Sequence, residues 1–151
     1  MAITVHVQIL IVSAEATDQP KLPTHEPPHF QSIRVLELPR RGEPVWMLSV
    51  SKRLIRQEAH WETQLSTDES QHLITLLEEA PHQSMSLEDE ISFDGTVYEV
   101  MIMRADHNRF FRWRNDDWQY TSNSHKGIWA RVAAIVDHVM KVVERTRPAN
   151  G

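Results

Sequence analysis

Cysteine is absent from the 151 residues. That excludes disulfide staples, thiolate metal sites and cysteine nucleophiles, and it fits a reducing compartment. Glycine is nearly as scarce, with only Gly42, Gly95, Gly127 and Gly151. No glycine-rich phosphate cradle, neither G-x-G-x-x-G nor a P-loop, can be built from four scattered glycines. A G-x-S-x-G nucleophile elbow is missing too, which leaves an α/β-hydrolase unsupported. Basic excess is lacking: the net charge is −5 and the pI about 6.0, whereas a general nucleic-acid binder usually carries a positive balance. No apolar run reaches the roughly 18 residues of a membrane helix. No Lys or Arg precedes Lys21, so the apolar stretch 3–12 lacks the positive region of a secretory leader. No internal repeat of fixed period is present. A soluble, cytoplasmic protein without cofactor or membrane partner is the expectation.

What remains is an ordinary globular composition, 40% hydrophobic and 25% charged. At this length one domain buries roughly 70% of its unfolded surface. Residues 1–147 are expected to form that single domain, with 148–151 as a frayed tail. Ile3, Val5, Val7, Ile9 and Ile11 alternate with Thr4, His6, Gln8, Leu10 and Val12, the period-two pattern of a strand. One face reads as apolar and the other as mixed, as for a central or semi-buried strand. Residues 13–29 hold Pro20, Pro23, Pro27 and Pro28, which forbid helix and central strand alike. A loop that long is usually functional or disordered.

Strands follow at 31–38 and 45–56, and a short one at 60–65. Ser66-Thr67-Asp68-Glu69 is a capping box, and Leu73, Leu76, Leu77 and Ala80 continue it as a helical stripe that Pro81 closes. Asp94-Gly95 between apolar runs predicts a type I′ hairpin linking 91–93 to 96–103. Residues 105–108 make a second turn, and 109–114 return. Ile128, Trp129, Val132, Ile135, Val136, Val139 and Val143 mark one face of a long final helix. Strands in runs, not alternating with helices, argue against a doubly wound fold. The expected class is α+β: a single antiparallel sheet of five to seven strands with two amphipathic helices packed on it.

Chemistry is harder to find. His25-Glu26-Pro27-Pro28-His29 spells the letters of a zinc protease, but that site needs a helix and the prolines forbid one. No metal site is expected. The nine histidines show no repeated spacing. Asp116-Asp117 reads as an exposed turn rather than a catalytic pair. In 109–114 cations alternate with aromatics. Phe111 and Trp113 should point into the core, while Phe110, Arg112 and Arg114 face out, where Arg and aromatic side chains suit a binding hot spot. Residues 78–94 hold six acids and no Lys or Arg. Glu88, Asp89 and Glu90 within them would steer a basic partner.

The run Asp94-Gly95-Thr96, then Tyr98-Glu99-Val100, Phe111, Trp113, Trp118 and a closing amphipathic helix resembles a pattern in small uncharacterised bacterial α+β proteins. Some of these are immunity proteins of toxin–immunity pairs. The likeness covers about the last 60 residues, and it implies a stoichiometric binder that blocks a toxin without supplying site residues. A non-enzymatic protein-binding module, as an immunity protein or inhibitor is, is therefore the leading reading. The alternatives are a small hydrolase-like enzyme using His and Asp/Glu, and nucleic-acid binding through 109–114.

Overall fold

The N-terminal strand, β1 (Thr4–Ala14), lies near the middle of a seven-stranded sheet rather than at an edge. The computed structural model describes residues 3–14, 29–39, 41–54, 57–86, 95–103, 108–114 and 123–148. On one side of β1 come β2 (His29–Leu38), β3 (Val45–Leu54) and β4 (Gln57–Gln64). On the other come β6 (Gly95–Met103), β7 (Asn108–Arg114) and, ahead of them in sequence, the two-residue β5 (Met85–Ser86). The spatial order is β4-β3-β2-β1-β6-β7-β5. Every pairing is antiparallel except β5 with β7. The two helices are α1 (Thr67–Glu78) and α2 (Asn123–Thr146). The fold is α+β with a single sheet.

Three differences from the sequence reading have physical causes. In β1, Val5 pairs with Leu36 and Val7 with Val35, so His6 is the extra residue of a bulge. A bulge shifts the alternation by one residue. Val7 and Ile9 are fully buried, but Ile3 is 59% exposed and off the apolar face. His6 instead stacks flat on Trp46, ring centroids 4.3 Å apart, with Nε2 3.3 Å from Glu37 Oε1. Second, β4 is eight residues and begins earlier than the apolar pattern suggested. Third, β5 was not foreseen, because two residues carry no periodicity. Residues 91–94, expected to open the hairpin before β6, lie outside the described residues. Gly42 in the β2–β3 connection adopts φ +96°, a conformation that glycine takes at little cost.

One face of the sheet is the core. The row Phe111, Val100, Ile9, Ile33, Val50 and Trp61 runs unbroken across six strands, and all six are buried. Both helices cover this face and run across the strands. Trp129 near the start of α2 meets Phe111 and Trp113 of β7. Thr146 at its end accepts from the Trp61 indole on β4. A 24-residue helix is about 36 Å long, and seven strands span about 29 Å, so α2 crosses the whole sheet. The stripe expected on α2 is buried apart from Ile128, which is half-buried, and Val142 joins it.

Helix α1 returns antiparallel to α2, and its start is fixed locally. Ser66 Oγ accepts from the Glu69 amide at 3.1 Å, and Glu69 Oε1 accepts from the Ser66 amide at 2.8 Å, a complete capping box. The same carboxylate takes Arg145 at 2.6 and 2.7 Å, tying the start of α1 to the end of α2. Burial opposes the charge on Glu69, but hydrogen bonds from Arg145 and Ser66 outweigh it and hold the carboxyl below its ordinary value. A carboxylate whose pKa falls on folding contributes stability above its unfolded pKa, and that stability is lost as pH drops through the folded value. Glu69→Gln keeps an acceptor for Ser66 but loses the ion pair. It is expected to lower the melting temperature by a few degrees at pH 7. The difference from wild type should shrink steadily in melts carried into acid. A gap unchanged by pH would mean that the ion pair contributes nothing.

Candidate binding surface

Alternation sends every second residue of the same strands to the opposite face, which no helix covers among the described residues. Three rows cross it. The first is Phe110, Met101, Gln8, Arg34, Ser49 and Glu62; the second is Arg112, Glu99, Leu10, Ser32, Ser51 and His60. The third is Arg114, Val97, Val12, Phe30, Arg53 and Glu58. Leu36, Met47 and Met103 extend the surface at one end. The β1–β6–β7 side is thus a mostly apolar field of Leu, Val, Met and Phe with arginines among them, and the β3–β4 side is polar. Phe110 is 37% exposed, large for an aromatic ring without a task in the core.

The expected facing of β7 holds. Phe111 and Trp113 are buried, and Phe110, Arg112 and Arg114 share the uncovered face. Arg112 Nε lies 3.3 Å from Glu99 Oε1, the cross-strand partner that the register supplies. Glu88, Asp89 and Glu90 lie outside the described residues, so the structure does not place them relative to β7. The same holds for residues 25–28 of the His-Glu-Pro-Pro-His motif. Arg109 is not part of any exposed cation row. It is 5% exposed and donates to the carbonyl oxygens of Ala80 at 3.5 Å and Pro81 at 2.9 Å, just past the end of α1. It also reaches His82 Nδ1 at 3.2 Å.

A recess of about 440 Å³ opens at the β2–β4 end of the sheet, lined by Phe30, Ser51, Lys52, Arg53, Glu58, Ala59 and His60. Burial and the nearby Arg147 push the Lys52 amine down, against Glu144, and Lys52 lies over the Trp61 ring. Within the recess Ser51 Oγ is 2.9 Å from His60 Nδ1, and His60 Nε2 is 3.6 Å from Glu62 Oε1. This is the arrangement on which the hydrolase reading would have to rest. The His60 and Glu62 side chains are 58% and 60% exposed, so water is not excluded and the 3.6 Å contact does not fix the imidazole. Ser51 and His60 are cross-strand neighbours and Glu62 is two residues along β4 from His60, and side chains so placed on one face meet without catalysis. Among the described residues no group of three or more His, Asp or Glu is placed to hold a metal ion, and no helix is long and apolar enough to cross a membrane.

No protein-family model matches the chain, and no curated relative matches it. Arg34, Leu36, Met47, Met101 and Met103 were not singled out from sequence as surface candidates. The available signal was the mixed second face of each strand, but it acquires meaning only once both helices are known to lie on the other side.

Proposed function

We propose that this chain is a non-enzymatic protein-binding module that acts as a stoichiometric blocker, in the manner of an immunity protein or other inhibitor. Its docking surface is the uncovered sheet face. The observation that carries this reading is the segregation of both helices to one face. It leaves Leu10, Leu36, Met47, Val97, Met101 and Phe110 together on the uncovered face, Phe110 exposed and the other five half-buried, with Arg34, Arg112 and Arg114 among them. Exposed apolar fields with a polar margin mark interaction sites, and an aromatic flanked by arginines is the composition of a binding hot spot. Methionines add a surface that adapts to its partner. The partner is a basic protein. A chain of net charge −5 attracts one, and Glu88, Asp89 and Glu90 add a local acidic run that steers its approach.

The test is to capture a partner from the source cell and measure binding kinetics with two sets of variants. Phe110→Asp is expected to speed dissociation by at least about tenfold and leave the melting temperature nearly unchanged. Reversal of Glu88, Asp89 and Glu90 to Lys is expected to slow association and flatten its salt dependence, because such charges act through screening distances of about 8 Å at physiological salt. A captured partner whose binding neither set alters would remove both surfaces from consideration.

A further inference from the structure

The two edges of the sheet are unequal. On one side the sheet ends in β5, only two residues long, and a very short edge strand offers little to pair with. On the other it ends in β4, eight residues in unbroken register with β3. β4 has no proline, lysine or bulge of the kind that blunts edges in other sheets; its charged residues are Glu58 and Glu62, which oppose pairing unless the partner strand answers them. Leu65 donates its amide to the Trp46 carbonyl, which sets the phase of the ladder. Residues 57, 59, 61 and 63 turn their backbone groups toward β3, and those of Glu58, His60, Glu62 and Gln64 point away from the sheet.

We infer that β4 pairs edge to edge with β4 of a second copy, antiparallel about a two-fold axis at Trp61, so that two sheets join into one of fourteen strands. The charge pattern selects both the occupant and the register. Centred on Trp61, the pairing sets Glu62 opposite His60 of the copy, twice by symmetry, and Glu58 opposite Gln64. On the covered face Ala59 meets Thr63 and the two Trp61 residues meet at the axis. A shift by two residues brings Glu58 against Glu62 in one direction, and Glu62 against Glu62 in the other. A shift by one would exchange the faces. His60 is prepared for the contact. Ser51 Oγ engages Nδ1 at 2.9 Å, and the carboxylate of its own Glu62 lies 3.6 Å from Nε2, too far for a hydrogen bond, so the tautomer protonated at Nε2 has a donor for Glu62 of the copy. The contact is isologous, as closed dimers require, and it would place two of the uncovered faces side by side.

Sedimentation velocity on the full chain tests this. Wild type is expected to be dimeric. Glu62→Pro removes one outward N–H and leaves the ladder to β3 intact, since proline is tolerated on edge strands, and it is expected to be monomeric. His60→Glu sets like charges opposite each other twice and is expected to raise the dimer dissociation constant by about tenfold. Adding Glu62→Lys to it should restore the dimer, because Lys then faces Glu in both symmetric pairs. If Glu62→Pro fails to fold, the charge pair and its rescue decide alone. A wild type that stays monomeric up to its solubility limit overturns the inference. So does a dimer that is indifferent to the two charge changes.

Discussion

Trp113→Ala is expected to cost about 3–5 kcal/mol, whereas Arg112→Ala, one residue away, should cost under about 1 kcal/mol. Trp113 is buried between two layers. It stacks on Tyr98 with centroids 5.2 Å apart, and its ring meets Trp129 of α2 edge-on at 5.6 Å. Removing it opens a cavity where β6, β7 and α2 converge, and three rigid elements cannot collapse to fill it. Arg112 faces water beside Glu99, and a solvent-exposed ion pair contributes little. Urea melts of the two variants measure both costs, provided the slope stays constant. If Arg112→Ala proved the more costly, β7 would be turned the other way and Phe110 would be a core residue.

Arg109→Ala is expected to cost about 2–4 kcal/mol, more than any other arginine truncation among the described residues. The guanidinium is buried on the core face of β7 and hydrogen-bonds two carbonyl oxygens that follow α1. These lie just beyond the C-terminal end of α1, where a cation also suits the dipole. Truncation strands those acceptors in a dry site and leaves a void. Arg109→Met separates the two effects, since it restores most of the volume but none of the donors. It should recover only part of the loss in the same urea melts. Full recovery would show that packing, not hydrogen bonding, is what Arg109 contributes.

Much of this architecture was legible in the chain because it is local. The Ser66–Glu69 box announced α1, period-two alternation announced β1, β2, β3 and β7, and the offsets from Ile128 announced α2. The facing of β7 followed from alternation alone. What was not legible depends on partners distant in sequence. At the bulge the His6 ring stacks on Trp46 of β3 and lies beside Glu37 of β2, both distant in sequence, and nothing within residues 3–12 signals it. Alternation puts Arg109 on the side of Phe111 and Trp113, but what receives a cation there is not legible until the end of α1 is seen to lie over it. Strand β5 exists only through its two-residue register with Phe111 and Arg112. The candidate surface was half visible. Phe110, Arg112 and Arg114 could be picked from one strand, but Arg34, Met47 and Met101 join them only through the strand order β3-β2-β1-β6-β7. A two-dimensional surface cannot be read from one strand at a time.

The methionines offer the most direct test of the uncovered face as the docking surface. Met47, Met101 and Met103 lie on that face, whereas Met85 and Met140 pack against the core. Methyl-labelled methionine gives each of them its own NMR signal, to be followed as the captured partner is titrated in. The expected result is that Met47, Met101 and Met103 shift or broaden in step with complex formation while Met140 stays where it was. Shifts confined to Met85 and Met140, with the three open-face methyls unmoved, would contradict it and place the partner on the helical side.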